Sequence, residues 1–238
     1  PHTVLRRWAE RITWANPDAR AGMRLTWALL FRAPDVRSRM LPMLLVPIGV
    51  FAAHFVRYGG RSAGVLVIMA PAIVANFSAG LVLALTRSRH HEARWIFDAL
   101  PLRDRRTALR GACLTVLLRL GLPMALLYGG ASLVLLTPVD GLGTAVATFG
   151  LLALGLGIGS QNLPAPPFTR EPAHDAYEGC GTVLLMGLLG LLVAGLQAGL
   201  REIHPGLGLA PPLATLLFAW WWWVEPLRGY ATPISSQR

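Results

Sequence analysis

Six stretches of the chain are apolar over lengths close to the roughly 20 residues that a helix needs to cross a bilayer core of about 30 Å. They are residues 40–56, 62–85, 112–136, 143–160, 181–200 and 209–224, and nothing else in the sequence limits the fold as strongly. A backbone in lipid has to satisfy its own hydrogen bonds, which leaves helices or a closed barrel. Barrel strands alternate polar and apolar residues, whereas these runs are apolar all round. The expected fold is therefore all-α, a polytopic membrane protein with six transmembrane helices. Composition agrees, because AVILMFWYC residues make up 54% and charged residues 14%, which excludes a disordered or collagen-like chain.

The formal charge of +10 comes from 22 basic side chains, every one an arginine, against 12 acidic ones. With six spans the loops fall alternately on two sides. Eighteen arginines lie on one side, in residues 1–39, 86–111, 161–180 and 225–238. Arg57, Arg61 and Arg201 lie on the other, and Arg119 falls inside the third span. The positive-inside rule then predicts a multi-pass protein of the inner (cytoplasmic) membrane with both termini in the cytoplasm. Residues 1–39 are read as a cytoplasmic or interfacial amphipathic segment, 40–224 as the transmembrane domain and 225–238 as a cytoplasmic tail. The first 39 residues hold no apolar core before a cleavage site, so no signal peptide is expected there. The basic charge follows the topology, and the bilayer, not nucleic acid, is the partner it implies.

Having no lysine, the chain lacks the G-x-x-x-x-G-K-[ST] phosphate loop, a Schiff-base lysine and a Ser-Lys dyad. Cys113 and Cys180 are far apart and form no C-x-x-C pair, so both are expected to be buried apolar residues. His90, His91 and Glu92 lack H-E-x-x-H spacing, and adjacent histidines on a helix point about 100° apart. No metal, cofactor or catalytic residue is expected. Gly60-Arg61-Ser62-Ala63-Gly64 matches G-x-S-x-G, which keeps open a membrane-integral serine hydrolase using Ser62. Its setting, a loop leading into a transmembrane helix, favours a plain turn. A structural membrane protein without a transport role is the third alternative. Arg119 is expected to snorkel to the inner surface, and Trp220–Trp223 to anchor the sixth span at the headgroups.

The segment from His90 to Gly111 is patterned differently. Ala93, Ile96, Phe97 and Leu100 stand at i, i+3, i+4 and i+7, an apolar stripe on a short helix that Pro101 ends. Asp104 is placed to cap a second helix running into the third span. An amphipathic helix of this kind on the membrane surface can fill a groove on another protein. Upstream, Pro17–Arg32 also reads as an amphipathic helix, with Met23, Trp27 and Leu30 on one face and Arg24, Ala28 and Arg32 on another.

Glu92, Ile96 with Trp95 beside it, Leu100, Pro101, Leu102, Arg105, Arg106 and Gly111 follow the order E-x-x-x-[aromatic or aliphatic]-x-x-x-L-P-[aliphatic], then basic residues and a glycine leading into the next span. This resembles the coupling segment of type-2 ABC exporter permeases. The glycine-rich end of the fourth span before Asn162, Leu163 and Pro164 is similar to that family too. The wording at 92–97 and 166–172 looks like that of bacterial permease-like membrane proteins of the group. The resemblance implies six spans, an N-terminal amphipathic connecting helix and a cytoplasmic coupling helix. It also implies a transmembrane permease subunit working as a homo- or heterodimer, with no ATPase activity of its own, driven by a separate ATP-binding cassette subunit. Glu92, Arg94, Trp95, Ile96, Phe97, Leu100, Pro101 and Arg105 would form the partner-binding segment. Trp95, Ile96, Phe97 and Leu100 would enter the ATPase groove, while Glu92, Arg94 and Arg105 set register through ion pairs. The family's long outer loop has no counterpart here.

Overall fold

The structure, a computed structural model, describes residues 2–32, 34–58, 69–87, 104–162, 167–170, 180–224 and 227. Among these, helices are joined by short turns, and the one strand-like pairing is an isolated bridge between Arg87 and Arg170. In chain order the helices are α1 (His2–Ile12), α2 (Pro17–Leu29), α3 (Pro34–Tyr58), α4 (Ser78–Thr86), α5 (Arg105–Val116), α6 (Leu122–Leu135), α7 (Pro138–Asn162), α8 (Cys180–Ile203) and α9 (Ala210–Ala219). Wide π turns, Leu117–Gly121 and Trp220–Val224, join α5 to α6 and extend α9.

Among the described residues, five helical runs are long and apolar enough to cross a membrane: Met69–Thr86, Arg105–Leu135, Pro138–Asn162, Cys180–Ile203 and Pro205–Val224. They coincide in order with the second to sixth expected spans, although residues 62–68 lie outside the described set. The first expected span, 40–56, lies inside α3, a continuous helix of 25 residues and about 37 Å. Several side chains of α3 are outside the described set.

The run from Arg105 to Leu135 has 31 residues, about 46 Å of helix, well beyond a hydrocarbon core of about 30 Å. Its surplus lies at the Arg105 end, where the polar residues are. Pro123 accounts for the π turn in its middle, since a proline ring clashes with the carbonyl four residues back and the helix widens to avoid it. The residue four back is Arg119, which the wide turn carries.

Contacts along the helices fix their directions. A Cβ added at Gly155 would meet Ser78, and one at Gly159 would meet Val82, so α4 and α7 run parallel. Gly121 faces Leu152 and Gly141 faces Leu133, so α6 and α7 are antiparallel. Gly190 faces Ala72 and Gly187 faces Asn76, which sets α8 antiparallel against the start of the run Met69–Thr86 that ends in α4. Gly150 faces Leu216 and Gly157 faces Trp223, which makes α9 parallel to α7. Thr86, Arg105, Asn162, Cys180 and Val224 consequently gather at one end, and Leu135, Pro138 and Ile203 at the other. The alternating path inferred from the loops is present in the described bundle.

α7 is the hub, and the small residues along it let neighbours approach on several sides. Several buried hydroxyls bond back to the carbonyls of their own helices. Thr148 Oγ1 donates to the Thr144 carbonyl at 2.7 Å, Ser132 Oγ to Tyr128 at 2.9 Å and Ser160 Oγ to Gly157 at 2.8 Å. At the far end the buried Asp140 carboxylate accepts from Thr137 Oγ1 at 2.7 Å and pairs with Arg201 at 3.2 Å, tying the start of α7 to the end of α8.

Two expectations need correction. Trp223 is fully buried against Gly157 while Trp221 is 65% exposed, so the tryptophan run is divided between core and surface. Successive residues on a helix point about 100° apart, and four in a row cannot all reach one interface. Cys113 is buried as expected, but Cys180 is exposed at the first position of α8.

The tightest helix contact joins α2 to α5. A Cβ at Gly22 would overlap the Ala108 carbonyl, and one at Gly111 would overlap the Ala19 carbonyl. Both helices carry Ala-x-x-Gly, at 19–22 and 108–111, so each alanine backbone sits in the other helix's glycine notch. Gly111→Ala should therefore cost about 1–3 kcal/mol through overpacking against backbone that cannot yield. Gly199→Ala on α8, where a Cβ has open space, should raise stability by up to about 1 kcal/mol from helix propensity. Thermal unfolding of the two variants in detergent, compared with wild type, checks the opposite signs.

Candidate functional site

Of the predicted partner-binding residues, Arg105 lies within the described structure, exposed as the first residue of α5. Glu92, Arg94, Trp95, Ile96, Phe97, Leu100 and Pro101 lie outside the described residues, as do Ser62, His90 and His91. The structure shows what holds the two ends of the segment between Arg87 and Asp104.

At its start, the carbonyls of Leu85 and Thr86 accept from the backbone N–H groups of Phe168 and Arg170, at 2.7 and 2.8 Å. Phe168 is buried and adopts φ 63°, so residues 167–170, from the next loop on the same side, are folded onto the last turn of α4. At its end, the Asp104 N–H donates to Asp18 Oδ2 at 2.9 Å. Asp104 caps α5 as its sequence position implied, accepting from the Arg106 N–H at 2.9 Å and the Thr107 hydroxyl at 2.5 Å. Asp18 is buried in the first turn of α2, whose N-cap Asn16 accepts from the N–H groups of Asp18 and Ala19. The segment thus leaves and rejoins the bundle at two hydrogen-bonded points on different helices.

From Asp18 onward α2 runs parallel to α5. Thr115 Oγ1 donates to the Met23 carbonyl at 3.1 Å, and Arg119 Nη1 donates to the Trp27 carbonyl at 2.9 Å. The Arg119 guanidinium lies over the rings of Trp27 and Phe31, with centroid distances of 4.7 and 4.5 Å. Rather than extending freely to the surface, Arg119 is held between two rings at the end of α2. Its charge is met by a carbonyl dipole and π faces. Met23 and Leu30 are buried, as expected for the apolar face of α2.

Around this contact lies an open cavity of about 480 Å³ lined by Arg6, Arg24, Trp27, Ala28, Phe31, Arg32 and Arg119. The sequence pattern placed Trp27 on one face of the helix and Arg24, Ala28 and Arg32 on another. Yet 24, 27, 28, 31 and 32 stand at i, i+3, i+4, i+7 and i+8, the spacing of one stripe, and that signal was readable. Arg119 could not be added to it, because only the α2–α5 register brings residues 27 and 119 together. Among the described residues no three His, Cys, Asp or Glu side chains converge as a metal site would require.

Compared with known proteins, the chain matches no family model, no curated protein and no solved structure.

Arg119→Leu should weaken the docking of α2. A double-mutant cycle with Trp27→Leu, read by thermal unfolding in detergent, should give a coupling of about 1 kcal/mol from the cation–π contact. Additivity of the two substitutions would show that the stacking contributes nothing.

Proposed function

We propose that the chain is the transmembrane permease subunit of an ABC-type transporter, acting as an exporter and driven by a separate ATP-binding subunit. In this reading it has six spans, with α3 as the first, lies in the inner membrane with both termini in the cytoplasm, and pairs with a second permease subunit. Its coupling segment is residues 90–111, and the segment between Arg87 and Asp104 carries all of its partner-binding residues but Arg105.

The observation that carries the reading is the anchoring of that segment's two ends. A displacement applied between Arg87 and Asp104 acts on α4 through Leu85 and Thr86, and on α2 and α5 through Asp18 and Asp104. A surface helix with free ends would absorb such a push. Here the chain continues directly into the helical runs Met69–Thr86 and Arg105–Leu135, each long enough to cross the membrane, and the hydrogen bonds at its ends keep those junctions from giving way, as coupling to a distant ATPase requires. The resemblance of Glu92 to Pro101 to the permease motif supplies the partner, and the arginine excess at this end supplies the sidedness.

If Phe97 and Leu100 fill an apolar groove on the ATPase, truncating either to alanine should weaken subunit association by about 1–3 kcal/mol, the scale of one large buried side chain. Folding in the membrane should be retained. Glu92→Arg should also impair coupling, while Glu202→Arg at the opposite end should not. Co-purification of the ATPase and ATP-driven transport are the measurements. Full association and activity in the Phe97, Leu100 and Glu92 variants together would remove the coupling role.

Sidedness has its own test. In a background with Cys113 and Cys180 replaced, a cysteine at position 59 should react with an impermeant thiol reagent in intact cells, and one at position 98 should not. The reverse pattern inverts the topology.

A further inference from the structure

The arginine-lined cavity at the end of α2 is not used by the coupling reading. Four guanidiniums line it, and the carboxylate beside it, Glu10, is shared, at 3.2 Å from Arg6 and 3.4 Å from Arg24. Arg119 is bound to a carbonyl, and Arg32 has no ion-pair partner among the described residues. Among the described residues, four positive charges stand against one negative, a local excess of three. Arginine forks match phosphate oxygens in pairs, and guanidiniums converging from three chain segments suit a phosphate better than a single carboxylate.

The other wall is apolar. Trp27, Ala28 and Phe31 line the same cavity, and Phe31 is 43% exposed. A free phosphate would leave these rings facing water, whereas an amphiphile would cover them. Depth points the same way. Arg119 lies 16 residues before Leu135, about 24 Å along the helix, so the cavity opens near the edge of a hydrocarbon core of about 30 Å. On α1, Val4 and Trp8 are exposed one turn apart, and Trp14 follows with 73% of its surface open. Such rings suit the headgroup layer.

We infer that this cavity binds the phosphate of an anionic phospholipid from the leaflet at the arginine-rich end. Arg6, Arg24, Arg32 and Arg119 would hold the phosphate, while Trp27 and Phe31 cover the glycerol and the first acyl carbons. Because α1, α2 and the π turn after α5 all contribute, a bound lipid would also clamp the N-terminal helices to the bundle.

The test is native mass spectrometry of the full chain released from nanodiscs containing phosphatidylglycerol or phosphatidylcholine alone. Wild type should retain one phosphatidylglycerol in preference to phosphatidylcholine, and less at high salt. The pair Arg24→Gln with Arg32→Gln should weaken that retention by roughly tenfold or more, from two lost charge-assisted contacts. Arg7→Gln with Arg11→Gln removes the same charge from exposed positions of α1 and should leave retention unchanged. Since Arg24 also pairs with Glu10, Arg32→Gln alone is measured as well, with thermal unfolding to show that the fold is kept. Equal losses in both double variants, or none in either, would overturn the site by showing bulk surface charge at most. Inorganic phosphate or ATP binding in phosphatidylcholine discs, and displacing phosphatidylglycerol, would overturn the lipid assignment in favour of a soluble phosphate.

Discussion

The organisation of the arginine-rich end depends on the contact in which two helix backbones meet through reciprocal Ala-x-x-Gly notches. Gly22 against Ala108 and Gly111 against Ala19 bring α2 and α5 closer than any side chain would allow. At that separation a backbone amide of one helix can reach a carboxylate of the other, and a side chain of one can reach the other's carbonyls. The Asp104–Asp18, Thr115–Met23 and Arg119–Trp27 hydrogen bonds all follow from this spacing. Widening it by one methyl group strains all three at once, so α2 docks as a unit.

Helices of this bundle differ in how much of their apolar surface the chain itself covers. The apolar window of α7 is 72% buried, whereas that of α8 is 28% buried, with Leu184, Leu188 and Leu191 open along one side. In water such a helix would be an aggregation hazard, but in lipid it is already solvated and needs only internal backbone hydrogen bonds. Polar side chains follow the complementary rule. Thr148, Ser132 and Ser160 bond back to their own helices, and the Asp140–Arg201 pair sits where the helices end.

Much of this was legible in the sequence, because a membrane removes most alternatives. Length and hydropathy locate helical spans without any knowledge of packing: residues 143–160 and 181–200 fall within the observed helices, and 112–136 overruns the helical run Arg105–Leu135 by one residue. Asp104 was readable as a cap because capping is local. What escaped was set by register between distant segments. Arg119 looked like a lone charge in a span because its partners, Trp27 and Phe31, lie more than 80 residues earlier. Trp223 looked like its neighbours, and its full burial follows from its place against Gly157 on α7. The hydrogen-bonded return of residues 167–170 to α4 carries no local pattern at all.

α2 spans about 20 Å and is fixed at both ends to the same neighbour. Its first turn holds the Asp104 end of the segment that begins at Arg87, and its last turn holds Arg119 and the arginine-lined cavity. A helix gripped along its length by backbone contact moves as a rigid body, so the two features share one degree of freedom. If an anion in the cavity favours one position of α2, it must also favour one position of Asp104. By linkage, a partner that shifts Asp104 must change the affinity of the cavity by the same factor. The Ala-x-x-Gly notch makes that relation stiff, because with no side chain between the helices there is little to deform before the backbones themselves move.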